Sequence, residues 1–164
     1  MIRGQIFHNL TEMNECMYDN WNETVKPNDI IFHLGDLVWD TDTVFVNTFK
    51  KLNGKKKLIV GNHDNIKWIV SQNLFHEVMM WHLLRENGFL CSHVPLDKSS
   101  LKTYVKDEDG VEDYTRTNQF YINIHGHIHQ NLSPSINHRC VCVEWTNYTP
   151  IHLDNLRKLQ NFIV

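Results

Sequence analysis

Residues 57–64 read Lys57-Leu58-Ile59-Val60-Gly61-Asn62-His63-Asp64, an apolar run that ends in a glycine and a polar cluster. A short apolar run of this kind is typical of a strand buried on both faces of a parallel sheet. The same order occurs upstream, where Ile30-Ile31-Phe32-His33-Leu34 precedes Gly35-Asp36. Because ligand-binding groups of open α/β sheets collect beyond the carboxyl ends of the strands, both polar clusters are candidate site residues.

A helical pattern precedes each of these two strands. Apolar residues recur at helical intervals from Leu10 to Val25, and Thr11 is a candidate N-cap for that helix. A second helix is predicted from Asp42 to Leu52, with Phe45 and Phe49 on its apolar face. The first half of the chain therefore predicts helix, strand, helix, strand, which is the order of an α/β fold.

The second half is predicted to form another sheet, mixed or antiparallel. Its strands are predicted at Val78 to Leu84, Phe89 to Cys91, Phe120 to Ile124 and Cys140 to Trp145, with a short helix after Asp154. Residues 106–113 are acidic and show no periodicity, which predicts a solvated loop. The length of 164 residues predicts one domain, residues 1–164.

The composition excludes several classes of protein. Hydrophobic residues make up 41% and charged residues 21% of the chain, which argues against disordered, collagenous and coiled-coil proteins. No apolar run suits a signal peptide or a membrane span, so we expect a cytoplasmic protein with no membrane partner. The net charge of -3 argues against nucleic-acid binding as the main function. The lack of alanine beside abundant Asn, Lys and Ile suggests a bacterial or phage source.

The cysteines are expected to be reduced thiols. They are Cys16, Cys91, Cys140 and Cys142, and no secretory signal accompanies them. The spacing Cys140-x-Cys142 is compatible with a metal site, but no second cysteine pair completes a zinc site, and alternation on a strand explains both residues. A purely structural zinc domain is therefore disfavoured.

Residues that can bind a metal occur in clusters, and each cluster follows a predicted strand. They are Gly35-Asp36, Gly61-Asn62-His63-Asp64, Ser92-His93 and His125-Gly126-His127-Ile128-His129. Carboxylate, amide oxygen and imidazole donors suit a divalent transition metal. Each cluster alone has a simpler interpretation, as a turn, a helix cap or a core histidine. Their common placement at strand ends favours a catalytic metal site.

With these clusters in this order, the sequence resembles the calcineurin-like metallophosphoesterase family, particularly its short single-domain bacterial and phage members. The resemblance runs from Met13-Asn14-Glu15 to Asn147-Tyr148-Thr149-Pro150. It implies an α/β/β/α sandwich of two mixed sheets. It also implies an enzyme, a divalent-metal-dependent phosphoesterase that cleaves a phosphomonoester or phosphodiester by in-line attack of metal-activated water. The expected partner is a phosphoester substrate, either a small molecule or a nucleotide.

The resemblance also implies roles for individual residues. Asp36 would bridge two metals, and His129 would bind the first of them. The second metal would be bound by Asn62, His93 and His127, while His63 would be the catalytic histidine that protonates the leaving oxygen. The expected cofactor is Mn²⁺, with Fe, Zn, Ni or Co as alternatives, and one metal rather than the family's two is an open alternative here.

The amino terminus departs from the family pattern. Family members begin with a strand that ends in Asp-x-His, and nothing between Met1 and Leu10 offers this motif. We therefore expect a domain that lacks the first strand, through truncation or a misplaced start codon. His8, Asp40 and Asp42 are candidate substitute ligands, although a surface loop and a helix cap explain them more simply. The alternative function is a non-catalytic or weakly active remnant that binds a metal or a partner.

Three other features have simpler interpretations than a functional one. The lysines at positions 50, 51 and 55–57 are expected to form a solvated turn rather than a substrate-steering patch. Trp68, Trp81 and Trp145 are expected in the core rather than stacked on a base. Tyr114-Thr115-Arg116 is expected to be a loop rather than a substrate contact.

Overall fold

Helices and strands alternate along the first half of the chain, in a computed structural model that describes residues 6–38, 43–106, 108–113 and 119–163. The elements are α1 (Leu10–Thr24), β1 (Ile30–His33), α2 (Thr43–Lys51), β2 (Lys55–Ile59), α3 (Ile66–Ser71) and β3 (Glu77–Met79). The strands form a parallel sheet in the order β1-β2-β3, here called sheet 1. The predicted α/β character of this half is confirmed.

The second half forms a mixed four-stranded sheet, here called sheet 2. The elements are β4 (Trp81–Leu84), β5 (Phe89–Ser92), β6 (Val105–Lys106), β7 (Glu112–Asp113), β8 (Ile122–His125) and β9 (His138–Cys140). Sheet 2 has the order β4-β5-β8-β9, with β4 antiparallel to β5 and the other pairs parallel. Short 3-10 helices lie at Arg85–Asn87, Lys98–Leu101 and Leu153–Lys158.

Several predicted boundaries are wrong. The single strand predicted from Val78 to Leu84 is two strands, because the chain passes from sheet 1 to sheet 2 at the exposed Met80. The strand predicted from Cys140 to Trp145 ends at Cys140, and turns follow it. A continuous apolar run does not indicate where a chain leaves one sheet for another.

Three local interpretations are also corrected. Asn9 rather than Thr11 caps α1, and its side chain accepts a hydrogen bond from the Glu12 amide at 2.9 Å. The predicted loop at residues 106–113 begins and ends in strand, because Lys106 of β6 pairs with Glu112 of β7. Trp81 is 61% exposed at the start of an edge strand, so its predicted core position is wrong.

The core lies on both faces of sheet 1. Leu58 of β2 packs on the helix side with Ile69 of α3, whereas the next residue, Ile59, packs against Phe89 and Ile124 of sheet 2. This alternation follows from the two-residue period of a strand. The described residues therefore form a layer of helices, then sheet 1, then sheet 2. No helix in these ranges has the length and apolar character needed to cross a membrane.

The face of sheet 2 that points away from sheet 1 is buried and polar. Asn123, His125 and His138 are each less than 3% exposed. The Leu96 amide donates to Asn123 Oδ1, and Ser133 Oγ lies 3.1 Å from His125 Nε2. Loops rather than α-helices make these contacts. Burial lowers the pKa of His125 from its ordinary value of 6.5 to about 4.

The burial of His125 predicts that the folded protein loses stability at acid pH. Between pH 6.5 and about 4 the unfolded chain takes up a proton that folded His125 does not, so the free energy of unfolding should fall as pH falls. A pKa difference of this size corresponds to on the order of 3 kcal/mol at full effect. Urea unfolding with a chelator present should show a flatter pH profile for His125→Asn than for wild type. Parallel profiles would contradict this expectation.

Candidate metal site

The candidate site forms where strand ends from both sheets meet. Asp36 follows β1 and Asn62 follows β2, and both strands belong to sheet 1. His93 directly follows β5 and His127 lies two residues after β8, in sheet 2. The predicted placement of each cluster after the carboxyl end of a strand is confirmed.

Two glycines allow the loops of sheet 1 to approach closely. A Cβ atom at Gly35 would lie 2.5 Å from both the Gly61 nitrogen and His93 Nδ1. A Cβ atom at Gly61 would lie 2.3 Å from Asp36 Oδ1. Gly35 also has a φ of +90°, which a residue with a side chain rarely adopts. Only glycine at both positions places the Asp36 carboxylate in the site.

His93 presents a lone pair to the site. Its Nδ1 lies 2.6 Å from the Leu34 carbonyl oxygen, which can only accept, so Nδ1 carries the proton of the neutral ring. Its Nε2 lies 2.9 Å from Asn62 Oδ1 and 3.4 Å from Asp36 Oδ2, and both oxygens are also acceptors. In the neutral ring the Nε2 lone pair and the two oxygens converge without a hydrogen between them, which is an arrangement that a cation stabilises.

His127 completes the group. Its Nδ1 lies 3.2 Å from His93 Nε2. One ligand atom from each of Asp36, His93 and His127 lies within 4.8 Å of the others, which makes these residues a possible metal-binding group. His93 is 5% exposed, whereas His127 and Asn62 are exposed, so the group is buried on one side and open to solvent on the other. The mixed nitrogen and oxygen donors fit a divalent transition metal.

The two remaining predicted site residues lie beside this group. The main-chain amide of His63 donates to Asp36 Oδ1 at 3.0 Å, and the residue is exposed at the solvent side. His129 is not a member of the group of three, and its Nδ1 lies 3.5 Å from Glu144 Oε1. The structure therefore brings together Asp36, His93 and His127 with Asn62, and places His129 against a different carboxylate.

Of the candidate substitute ligands, His8 lies within the described residues and is not a member of the group. His8 is exposed, and its amide donates to Glu12 Oε2 at 2.7 Å at the start of α1. Asp40, Asp42 and the segment Tyr114-Thr115-Arg116 lie outside the described residues.

Three residues that interact with predicted site residues were assigned no role from the sequence. Asp64 accepts main-chain hydrogen bonds from Asp36, Leu37 and Gly61 at 3.1, 2.8 and 2.8 Å. Glu144, whose side chain is 5% exposed, faces His129. Burial lowers the pKa of His33 at the end of β1, an effect that the carboxylates of Asp64 and Asp36 oppose. Only Asp64 carried a sequence signal, because it ends the Gly61 cluster.

The sequence comparison supplies a relative. The chain is 32% identical to the uncharacterized protein MJ1445 of Methanocaldococcus jannaschii over 164 residues, which cover 93% of this chain and 78% of that protein. The chain belongs to the same family as MJ1445. No model of a known protein family matches the sequence.

A solved structure shares the fold of this chain. It is the crystal structure of AQ665 from Aquifex aeolicus, a protein of unknown function. The two chains are 26% identical with a TM-score of 0.65, over 93% of this chain and 87% of AQ665. Neither MJ1445 nor AQ665 carries an assigned activity.

Asp64 gives the first test of how this site is held. Asp64→Ala leaves the amides of Asp36, Leu37 and Gly61 without their charged acceptor, so we expect a loss on the order of 2–3 kcal/mol in the free energy of unfolding. Urea unfolding of metal-free protein measures this loss. The exposed Asp154→Ala is the control and should change stability by less than about 0.5 kcal/mol. Equal stability of the two variants would contradict the role of Asp64.

Proposed function

We propose that this chain is a calcineurin-like metallophosphoesterase with one divalent cation bound by Asp36, Asn62, His93 and His127. The observation that carries the proposal is the convergence of the Asn62 and Asp36 oxygens on His93 Nε2. Mn²⁺ is the first candidate cation, with Fe, Zn, Ni or Co as alternatives. In this proposal the helix layer, sheet 1 and sheet 2 correspond to the first three layers of the family's α/β/β/α sandwich, and loops cover the outer face of sheet 2 in the described residues.

The donor chemistry supports a catalytic rather than a structural cation. No cysteine belongs to the group, and its solvent side is open where His127, Asn62 and His63 are exposed. Structural zinc sites are closed by their protein ligands, whereas catalytic sites keep a position open. When bound, the cation would polarise a phosphoester and lower the pKa of a water molecule.

The chain's own residues would perform the remaining steps. The Asp36 carboxylate, fixed through its hydrogen bond from the His63 amide, supplies negative charge to the group. As water attacks phosphorus in line, the bond to the leaving oxygen breaks. His63, on the solvent side next to Asp36, would donate a proton to that leaving oxygen. The products are a phosphate or phosphomonoester and an alcohol.

Hydrolysis of bis-p-nitrophenyl phosphate under Mn²⁺ titration tests the proposal. We expect turnover that rises with Mn²⁺, disappears with a chelator and is lost in His127→Ala. The matched control is His76→Ala, which removes an exposed histidine that precedes β3 and lies outside the group. Turnover by the control should equal that of wild type.

The outcomes separate the proposal from its alternative. Folded protein that binds Mn²⁺ without turnover would support the alternative function, a metal- or partner-binding protein. The placement of His129 against Glu144, outside the group, is the observation that favours this alternative. Folded protein with neither binding nor turnover would contradict the proposed site.

A further inference from the structure

His127 occupies a strained turn. The Gly126 carbonyl accepts a hydrogen bond from the Ile128 amide at 2.8 Å, which closes a turn of three residues around His127. His127 has a φ of +66°. A turn closed between residues i and i+2 with positive φ at its centre is the rare and strained form of the γ-turn. Such strain persists only where the surrounding structure holds it.

A buried imidazole contacts the carbonyl that closes this turn. His125 Nδ1 lies 3.0 Å from the Gly126 oxygen, and His125 is 0% exposed. Because a carbonyl oxygen only accepts, Nδ1 carries the proton, and Nε2 is then an acceptor. Ser133 Oγ lies 3.1 Å from Nε2 and donates its hydroxyl proton to it. Ser133 is also 0% exposed, so the pair is shielded from competing water.

We propose that His125 is a positioning residue for the metal site. Its imidazole, oriented by Ser133, holds the Gly126 carbonyl and thereby stabilises the turn that places His127 Nδ1 against His93 Nε2. The inference rests on the proposed function, because it takes His127 to be a metal ligand. Residues that orient a ligand from behind typically change metal affinity when they are replaced.

The chain offers a matched control in His138. It is 2% exposed and lies on the same face of sheet 2 as His125. It also makes two hydrogen bonds, from Nδ1 with Ser135 Oγ at 2.9 Å and from Nε2 with the Leu96 carbonyl at 2.8 Å. Neither partner belongs to the turn around His127. If His125 served folding alone, its replacement and that of His138 would therefore have the same effect on Mn²⁺ affinity.

Calorimetric titration with Mn²⁺ tests the proposal on wild type and three variants. We expect His125→Leu to weaken Mn²⁺ binding about 10- to 100-fold. His125→Asn keeps a donor in the place of Nδ1 and should restore affinity close to wild type. His138→Leu should lose stability but retain wild-type affinity. Equal affinity in the two leucine variants, or an asparagine variant as weak as His125→Leu, would overturn the inference.

Two further readouts keep the inference distinct from the proposed function. If wild type binds no Mn²⁺, the proposed site is wrong and this inference falls with it. If wild type and folded His125→Leu bind equally, only this inference is wrong. Where His125→Leu does not fold, nitrogen NMR of wild type labelled at histidine decides. We expect a neutral His125 with its proton on Nδ1, and a proton on Nε2 instead would overturn the proposal.

Discussion

Replacement of His93 by alanine is expected to weaken Mn²⁺ binding by more than about 100-fold, since changes behind a ligand already cost about 10–100-fold. His93 Nε2 is the atom on which Asn62 Oδ1, Asp36 Oδ2 and His127 Nδ1 converge. The His93→Ala variant lacks this central atom of the group. Calorimetric titration of chelator-treated protein measures the change.

A second variant separates the loss of the ligand from a loss of folding. His93 also bonds the Leu34 carbonyl through Nδ1 at 2.6 Å, so His93→Ala should reduce stability as well. His93→Asn retains a donor in the place of Nδ1 but has no atom in the place of Nε2. It should therefore fold more stably than His93→Ala and bind Mn²⁺ as poorly. Wild-type Mn²⁺ affinity in folded His93→Asn would contradict the assignment of His93.

Replacement of His63 by alanine is expected to reduce turnover and to leave Mn²⁺ affinity unchanged. On an alkyl phosphoester we expect turnover to fall by about 10²–10⁴, the usual contribution of a general acid. Mn²⁺ affinity should stay near wild type, because the contact of residue 63 with Asp36 uses the main-chain amide, which alanine retains. Measurements of kcat and of Mn²⁺ affinity on the same preparations separate the two effects.

The leaving group provides the internal control for His63. Nitrophenolate departs readily without a proton, whereas an alkoxide needs one. His63→Ala should therefore lose more activity on an alkyl phosphoester than on bis-p-nitrophenyl phosphate. Equal losses on both substrates, or a loss of Mn²⁺ affinity that parallels the loss of turnover, would show that His63 does not act as the general acid.

The main features of the site could be predicted from local sequence. The runs before Gly35 and Gly61 each specify a buried strand followed by a turn, and parallel pairing of β1 with β2 then places both turns at one edge. The same reasoning placed His93 and His127 after β5 and β8. These predictions succeeded because the two-residue period of a strand and the glycine that ends it are properties of a few consecutive residues.

The residues that hold the site could not be predicted in this way. Asp64 accepts from amides 27 and 28 residues earlier in the chain, and His125 is oriented by Ser133 on a loop that crosses sheet 2. A carboxylate after a strand is compatible with a helix cap, and Asn65 in fact caps α3. Only the tertiary arrangement shows which amides the Asp64 carboxylate meets.

The strand boundaries were missed for a related reason. Apolar residues continue from β3 into β4 although the two strands belong to different sheets, and the change occurs at Met80. After Cys140 the apolar residues continue to Trp145, but residues 143–148 form a series of turns. Side-chain periodicity describes a strand only where a neighbouring strand is available to pair with it.

We place one divalent cation among Asp36, Asn62, His93 and His127. Anomalous scattering from crystals grown with Mn²⁺ is the decisive test of this placement. We expect a single strong peak within coordination distance of His93 Nε2, His127 Nδ1, Asp36 Oδ2 and Asn62 Oδ1. The absence of a peak there, in crystals that show these four side chains ordered, would contradict this assignment.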